Sequence, residues 1–249
     1  MTKAFLRQTS QWLHKWLALF VGLQVVLWMA GGAVFALVPF DAWVKSGETV
    51  RKASKPSGAT PLYPLADVAA RHAPLRSIEL VGQGTQFYYR LTDAAGQKKL
   101  VNATDGVLLP APDETGIRAL ARQVYAGDAA IASVRWITTP EPRRLGLVDE
   151  SQGKVHIWQV TFADRFNTRL YFSPAGEFLR SRNDAWVLYD FFWRLHIMDY
   201  GEGEDFNNLF LRILSPLALV LVFSGVVLLF FTRFRALPRR ADLRRDAQQ

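Results

Sequence analysis

The stretch at residues 186–231 decides the fold. It opens with WVLYDFFWRLHIMDY (residues 186–200), passes through an acidic loop and closes with ILSPLALVLVFSGVVLLFF (residues 213–231), which carries no charge over nineteen positions. A helix rises about 1.5 Å per residue, so this run is just long enough to cross a hydrocarbon core about 30 Å thick. Residues 213–231 are therefore predicted to form a transmembrane helix. Residues 183–212 are predicted to form an aromatic interfacial segment that places His196 near one membrane face.

A second uncharged run lies near the start of the chain. Residues 17–38 contain one strongly polar side chain, Gln24, in twenty-two positions, and Pro39 ends the run. A cleaved signal peptide is the alternative, but its apolar core is shorter, about 7–15 residues, and no Ala-x-Ala cleavage site follows here. The sequence therefore predicts a first transmembrane helix that is retained.

The basic residues are concentrated at the two ends of the chain. Residues 1–16 carry a charge of +3 and residues 232–249 a charge of +4, whereas the residues between them add only +1 to the net charge of +8. Basic segments flanking membrane spans are typical of the cytoplasmic side, and this distribution does not resemble a nucleic-acid-binding surface. Both termini are therefore predicted to be cytoplasmic, with the lipid bilayer as partner and residues 39–212 on the other side.

Two units, each predicted to contain a helix followed by three strands, come after a polar linker at residues 39–60. The first unit, residues 61–110, is predicted to contain a helix at 61–72 and strands at 77–81, 85–92 and 98–102. The second unit, residues 111–182, is predicted to contain a helix at 116–125, capped by Asp113 or Thr115, and strands at 133–138, 154–162 and 168–172. Antiparallel strands covered by helices on one face give an α+β domain between the two spans.

Two histidines fall within these units. His72 lies in the last turn of its predicted helix, where a cation complements the helix dipole. His156 alternates with Trp158, Val160 and Phe162 on one predicted strand. This periodicity predicts a half-buried core position for His156.

Four short motifs accompany this organisation. They are WLHKWL (residues 12–17) and Gly31-Gly32 at the first span, and WRLH (residues 193–196) and Ser224-Gly225 at the second. With the repeated units between two spans, these motifs resemble the PepSY domain and its associated transmembrane region, the PepSY-TM family. The resemblance covers nearly the whole chain.

The resemblance implies a bacterial inner-membrane protein whose soluble repeats lie in the periplasm. Larger relatives with four spans are similar to ferric-siderophore reductases that carry haem between membrane histidines, and soluble PepSY domains resemble propeptide modules that restrain proteases. This chain departs from the larger form, because it has two predicted spans and only His14 and His196 lie near the membrane.

His14 and His196 are the candidate axial ligands of a haem b. They precede different spans on opposite membrane faces, so roughly a full core thickness of about 30 Å separates them and they cannot bind one iron together. A two-fold homodimer would supply a second copy of each histidine at its own level. The alternative is that His14, beside Trp12 and Trp16, belongs to an interfacial anchor and that His196 turns its polar edge to lipid headgroups.

The acidic residues before the second span are a candidate metal site. Asp199, Glu202, Glu204 and Asp205 offer the hard oxygen ligands that divalent or ferric ions bind. The alternative is a solvated loop that caps the next helix through Asp205. The sequence contains no cysteine. This excludes thiolate metal ligands, thiol catalysis and a covalently attached c-type haem.

The sequence assigns no catalytic residue. It contains no phosphate-binding loop, dinucleotide fingerprint, zinc-protease motif or Gly-x-Ser-x-Gly motif. The leading interpretation is a binding or accessory module in the periplasm. The alternatives are a haem-binding electron-transfer component of ferric-siderophore reduction and a membrane-tethered regulator of a protease, acting as a homodimer or with other envelope proteins.

Overall fold

A computed structural model of the protein describes residues 3–52, 61–201 and 203–233. The chain divides into two compact units, a helical unit (Met1–Val34 and Phe192–Gln249) and a sheet unit (Phe35–Phe191). Four parts of the predicted organisation fall on residues outside the description. They are residues 1–2 of the N-terminal segment, residues 53–60 of the linker, Glu202 of the acidic cluster, and residues 234–249 of the basic tail.

Two long apolar helices make up most of the helical unit. Helix α1 spans Lys3–Leu37 and helix α5 spans Leu209–Arg233. Their contact is a small apolar core of Val21, Ala218 and Leu221, with Leu17, Val25, Trp28 and Leu214 packed around it. Most of the remaining apolar side chains are exposed, as expected of helices whose other faces contact lipid.

Both helices are long and apolar enough to cross a bilayer. The candidate spans are Arg7–Leu37, with a mean hydropathy of 2.0, and Leu209–Phe231, with a mean hydropathy of 2.7. The predicted spans at 17–38 and 213–231 lie almost entirely inside these helices. Both helices extend outward beyond the apolar runs, α1 by more than three turns at its N-terminus.

The first half of the sheet unit is a three-stranded antiparallel sheet with one helix. Helix α2 spans Leu65–His72, and strands β1, β2 and β3 span Leu75–Gln83, Gln86–Asp93 and Lys98–Asn102. The core between them contains Val68 from the helix and Tyr89, Leu91 and Val101 from the strands. His72 lies in the last turn of α2, as predicted.

The second half is a four-stranded antiparallel sheet with one helix. Helix α3 spans Glu114–Val124, and strands β4 to β7 span Ile131–Ile137, Ile157–Phe162, Arg169–Phe172 and Phe178–Arg182. Of the two predicted caps, Asp113 is the one that acts, since its side chain accepts the Gly116 N–H at 2.8 Å. The helix covers one sheet face through Ile117, Ala121 and Val124, which pack on Val160, Phe162, Leu170 and Phe172.

Polar side chains join the two halves of the sheet unit. Gln83 at the end of β1 is buried; its amide nitrogen donates to the carbonyl of Gly176 at 3.1 Å, and its amide oxygen accepts the N–H of Phe178 at 2.9 Å. Arg90 of β2 pairs with Glu177, next to Gly176. The turn before β7 is thus held by the end of β1.

Three local predictions differ from the structure. The second half has a fourth strand, β7, which was not predicted. The first helix was predicted from residue 61 but begins at Leu65, because a residue before a proline avoids the helical region and Tyr63 precedes Pro64. The strand predicted from residue 154 begins at Ile157, because His156 is in the left-handed region with φ 55°.

His156 therefore does not occupy the half-buried core position that its periodicity predicted. Its side chain is exposed, and its backbone N–H donates to the carbonyl of Ile137 at 2.6 Å. The left-handed turn takes His156 out of the alternation that begins at Ile157. The prediction for this residue was wrong.

The segment expected to be a linker contains local structure in its described part. Residues Phe40–Val44 form a π-helix, and the N–H of Arg51 donates to the carbonyl of Val124 at 2.8 Å. The N–H of Ala126 donates to the carbonyl of Thr49, also at 2.8 Å. Residues 49–51 are thus hydrogen-bonded to the end of α3. The last helix of the unit, α4, spans Asp184–Ile197 inside the predicted aromatic segment and ends in the helical unit.

The predicted fold class is confirmed. Antiparallel sheets with packed helices lie in the chain between two helices of membrane-spanning length, which is an α+β arrangement with flanking transmembrane helices.

Candidate functional site

The candidate ligand His14 lies on α1 and contacts the last part of α5. Its Nδ1 is 2.9 Å from the hydroxyl oxygen of Ser224 and 3.2 Å from the carbonyl oxygen of Leu221. Gly225 has no side chain at this point, and a Cβ built there would lie 3.1 Å from the imidazole Cε1. The glycine therefore allows the ring to approach the α5 backbone closely.

These contacts select the tautomer of the neutral His14 ring. A carbonyl oxygen only accepts hydrogen bonds, and the Ser224 hydroxyl donates its own hydrogen to Leu221 at 2.7 Å. Both oxygens therefore accept from Nδ1, which must carry the hydrogen. In the neutral ring Nε2 then keeps its lone pair, the arrangement found in histidines that bind metals.

His196 lies in the last turn of α4 and contacts α1. A Cβ built at Gly31 would lie 3.7 Å from the His196 Nδ1, so the glycine is in ordinary contact with the ring. The backbone carbonyl of His196 accepts the indole N–H of Trp28 at 2.7 Å, and that of Leu195 accepts the amide of Gln24 at 3.0 Å. Two polar side chains of α1 thus satisfy carbonyls that the end of a helix leaves unpaired.

The structure pairs the four sequence motifs at two separate places. His14 meets Ser224 and Gly225, and His196 meets Gly31. Along α1, His14 and Gly31 are seventeen residues apart, which corresponds to roughly 25 Å of helix. One chain therefore does not bring its two membrane histidines together.

The acidic loop between α4 and α5 is folded around one carboxylate. Asp199 accepts four backbone N–H groups: Oδ1 accepts from Gly201 at 3.0 Å, and Oδ2 accepts from Gly203, Glu204 and Asp205 at 2.8, 2.9 and 3.0 Å. These backbone hydrogen bonds lower the pKa of Asp199. Its oxygens are occupied by the chain itself.

The other acidic residues do not complete a metal site within the described residues. In that part of the chain, no three His, Cys, Asp or Glu side chains are grouped so that they could hold a metal ion, and Glu202 lies outside it. Asp205 accepts the Asn207 N–H at 2.7 Å instead of capping α5. The capping residue is Asn208, which accepts the Leu211 N–H at 2.9 Å.

A polar cavity lies on the open face of the four-stranded sheet, opposite α3. Two cross-strand rows of side chains occupy this face. In register, the first row is Ser133, Thr161, Arg169 and Arg182, and the second is Arg135, Gln159, Tyr171 and Arg180. Residues of both rows line a cavity of about 560 Å³.

The loop between β4 and β5 forms much of the remaining wall. The cavity is lined by four arginines, three carboxylates, four neutral polar side chains and one proline: Arg135, Arg143, Arg144, Arg169, Glu141, Glu150, Asp184, Ser133, Gln159, Thr161, Asn167 and Pro142. In the sequence, the part of this loop at residues 139–147 is rich in proline and arginine. In the structure its two arginines line the same cavity as the sheet residues.

Buried ion pairs hold the deep side of this cavity. Arg169 and Glu150 are both buried and form a pair at 2.6 Å, and Nη1 of Arg169 lies 2.9 Å from Asp184. Burial raises the pKa of Glu150 against the field of Arg169. A chain of hydrogen bonds runs alongside, from Arg135 Nε to Gln159 at 3.0 Å and from Gln159 to Tyr171 at 2.7 Å.

Arg182 adds a half-buried cation beside Arg169. Its guanidinium lies 4.0 Å over the ring of Trp186, and among the described residues its buried Nε has no hydrogen-bond partner. Burial lowers the pKa of Arg182 to about 10, the neighbouring Arg180 adds to the effect, and Asp190 opposes it. Arg182 therefore adds a further positive charge to this sheet face.

Sequence reasoning missed this cavity, although a signal was present. The sequence analysis considered only the apolar face of this strand, which contains Val160 and Phe162. The alternate residues Gln159 and Thr161 are polar, as are Ser133 and Arg135 on the neighbouring strand. A strand polar on one face and apolar on the other indicates that the polar face is turned away from the core.

A comparison with models of known protein families shows which family the chain belongs to. The model of a family described as the PepSY-associated TM region matches residues 11–248. The chain belongs to this family. No curated protein and no solved structure matches it.

Membership of the PepSY-TM family, together with two helices of spanning length, identifies a membrane protein whose helices contact a lipid bilayer. The match extends from before His14 to beyond α5, so it includes both histidine contacts and the whole sheet unit. The resemblance expected from the sequence motifs is confirmed.

Proposed function

We propose that this PepSY-TM protein is a bacterial inner-membrane binding module whose sheet unit lies in the periplasm and takes up a small ligand in the cavity beside β4 to β7. The observation that carries the proposal is the cavity itself. Its volume of about 560 Å³ falls within the range of roughly 300–1,000 Å³ typical of small-molecule sites.

The walls of the cavity favour a binding role because their side chains are held in place. Arg169 is fixed by Glu150, by Asp184 and by the carbonyl of Asn167, to which its Nη1 donates at 2.8 Å. Gln159 is fixed between Arg135 and Tyr171. Preorganised polar groups around an open volume bind a ligand without the cost of first ordering the site.

The test is whether small molecules are retained by this cavity. The full chain, purified in detergent, is incubated with the small-molecule fraction of a periplasmic extract, washed and denatured, and the released compounds are identified by mass spectrometry. We expect a compound that is enriched on the wild type and absent from a Thr161→Trp variant, whose indole fills the cavity.

An Arg118→Gln variant serves as the control, because Arg118 is exposed on α3 on the other side of the sheet. Circular dichroism verifies that each variant is folded. Equal retention by the Thr161→Trp variant and the wild type, or no enriched compound at all, would contradict the proposed binding function.

A second candidate function is haem-dependent electron transfer, and the geometry of His14 favours it. Its Nδ1 hydrogen is directed at Ser224 and Leu221, which leaves Nε2 as the ligating nitrogen. Bound haem would supply one-electron chemistry. His14 and His196 would each hold one axial position, at opposite ends of the α1 and α5 pair.

The residues fit a haem only in part within one chain. Each level offers one histidine, and bis-histidine ligation needs two, so a two-fold homodimer would have to bring together His14 with His14 and His196 with His196. No catalytic residue is assigned in this candidate, and any electron donor would be a separate protein.

An absorption spectrum of the detergent-purified protein, oxidised and dithionite-reduced after haem-replete expression, tests this candidate. We expect a Soret band that shifts on reduction and that is lost or weakened in His14→Ala and His196→Ala variants. A His72→Ala variant is the matched control, because His72 lies on α2 of the sheet unit. A colourless wild type would exclude haem binding under these conditions and return both histidines to anchoring roles.

A further inference from the structure

We infer that the ligand of the cavity beside β4 to β7 is a small organic anion, bound through a carboxylate or phosphate group by Arg135 and Arg144. This inference rests on the proposed binding function and adds the chemical class of the ligand. It follows from the charge balance of the sheet face and from which guanidinium groups remain available.

The charge balance is positive. The cavity lining contains four arginines against the carboxylates of Glu141, Glu150 and Asp184. Two more arginines, Arg180 and Arg182, extend the same two cross-strand rows. An excess of charges of one sign in a cleft with low-dielectric walls gives a strong local electrostatic potential. The excess of arginine therefore favours the binding of an anion.

Arg169 is not the group that binds the ligand. Its Nε and Nη2 donate to Glu150 at 2.8 and 2.6 Å, and its Nη1 contacts the carbonyl of Asn167 and the carboxylate of Asp184. All three nitrogens are thus occupied. The role of Arg169 is to neutralise the two carboxylates that would otherwise repel an anion.

Arg135 and Arg144 remain available for a ligand. Arg135 uses Nε and Nη2 to bind Gln159 and Glu141, whereas its Nη1 makes no hydrogen bond within the described residues. Arg144 donates from Nη2 to Asp184 at 3.2 Å, and its Nη1 lies 4.0 Å from Glu150, beyond hydrogen-bond distance. The two side chains are 54% and 46% exposed, so both guanidinium groups are accessible to a ligand.

Neutral polar side chains of the cavity suit the rest of the ligand. Ser133 and Thr161 are cross-strand neighbours in the first row, and both line the cavity. Guanidinium groups recognise the planar oxygens of carboxylates and phosphates through paired hydrogen bonds. The cavity is larger than a lone phosphate or carboxylate requires, so the anion carries an organic part that can reach these hydroxyls.

Isothermal titration calorimetry on the full chain in detergent tests the inference. The probes are citrate and glycerol 3-phosphate, which represent the carboxylate and phosphate sources, with glycerol as the uncharged counterpart and spermidine as a cation. Ionic strength is held constant, because surface charges alone would otherwise produce weak binding.

We expect saturable binding of at least one of the two anions and none of glycerol or spermidine. Arg135→Gln and Arg144→Gln should each weaken the binding about tenfold or more, the usual effect of losing a charge-assisted hydrogen bond. Arg118→Gln removes the same charge from a side chain of similar exposure, 43%, on α3 and should leave the affinity unchanged.

Three results would overturn the inference. The first is no saturable binding of either anion by the wild type. The second is the same loss of affinity in Arg118→Gln as in the cavity variants, which would show that only the overall charge matters. Binding of glycerol or spermidine that Arg144→Gln abolishes would also remove the anion assignment, but it would leave the cavity as a binding site and the proposed function intact.

Discussion

The carboxylate of Asp199 shows how a single residue can determine the shape of a loop. It accepts four backbone N–H groups, three of them on Oδ2. We predict that Asp199→Asn, which removes the charge and one acceptor oxygen, destabilises this loop by about 2 kcal/mol. Hydrogen exchange measured by mass spectrometry should show exchange at least tenfold faster for the amides of residues 203–205.

The same carboxylate gives the loop a defined pH dependence. Because backbone hydrogen bonds lower the pKa of Asp199, its contribution is present above its ordinary pKa of about 4 and is lost as the pH falls through the lowered value. Protection relative to Asp199→Asn should therefore persist from pH 7 to about 4 and decline below. Asp205→Asn is the control, since Asp205 accepts one N–H only. Equal protection in Asp199→Asn and the wild type would disprove the role.

For single residues, the sequence could identify candidate ligands but could not predict what their side chains contact. It identified four possible metal ligands because their carboxylates are close together in the chain: Asp199, Glu202, Glu204 and Asp205. Whether a carboxylate faces a metal or the backbone depends on loop conformation, here on a turn in which Gly203 has a φ of 79°. In contrast, the separation of His14 from His196 follows from helix rise, because His196 contacts Gly31, seventeen residues after His14 on α1.

At the scale of elements, Gln83 connects the two halves of the sheet unit. Its buried amide binds the carbonyl of Gly176 and the N–H of Phe178 at the start of β7. We predict that Gln83→Leu, which leaves both backbone groups unpaired, costs about 2 kcal/mol or more of stability. Urea unfolding of the full chain followed by circular dichroism, with hydrogen exchange of β7, measures the loss.

Gln97→Leu provides the matched control, because Gln97 is exposed in the turn before β3. It should leave both readouts unchanged. If β7 exchanges at the same rate in Gln83→Leu and in the wild type, the end of β1 does not stabilise that strand.

β7 also shows why one element escaped prediction. Its sequence, FLRSR, has neither a long apolar run nor a clear alternation, so local propensity does not mark it as a strand. It is a strand because β6 offers it a partner, with Arg169 opposite Arg182. The elements that were predicted, such as α3 with its Asp113 cap, carry their signal within their own residues.

At the scale of the whole molecule, the distribution of charge predicts the orientation of the chain in the membrane. The termini carry +3 and +4 and the residues between the spans +1. From the positive-inside rule we therefore predict that both termini are cytoplasmic and that residues 39–212 are periplasmic. The chain has no cysteine, so single-cysteine variants report one position each without background.

We predict that Glu114→Cys, at the exposed start of α3, reacts with a membrane-impermeant maleimide in intact spheroplasts. Gln249→Cys, in the basic tail, should react only after the inner membrane is permeabilised. Lys98→Cys, on the three-stranded sheet, repeats the test for the other half of the sheet unit. Labelling of Gln249→Cys but not of Glu114→Cys in intact spheroplasts would reverse the orientation. The cavity would then face cytoplasmic instead of periplasmic anions, because its ligands must reach it from the side on which the sheet unit lies.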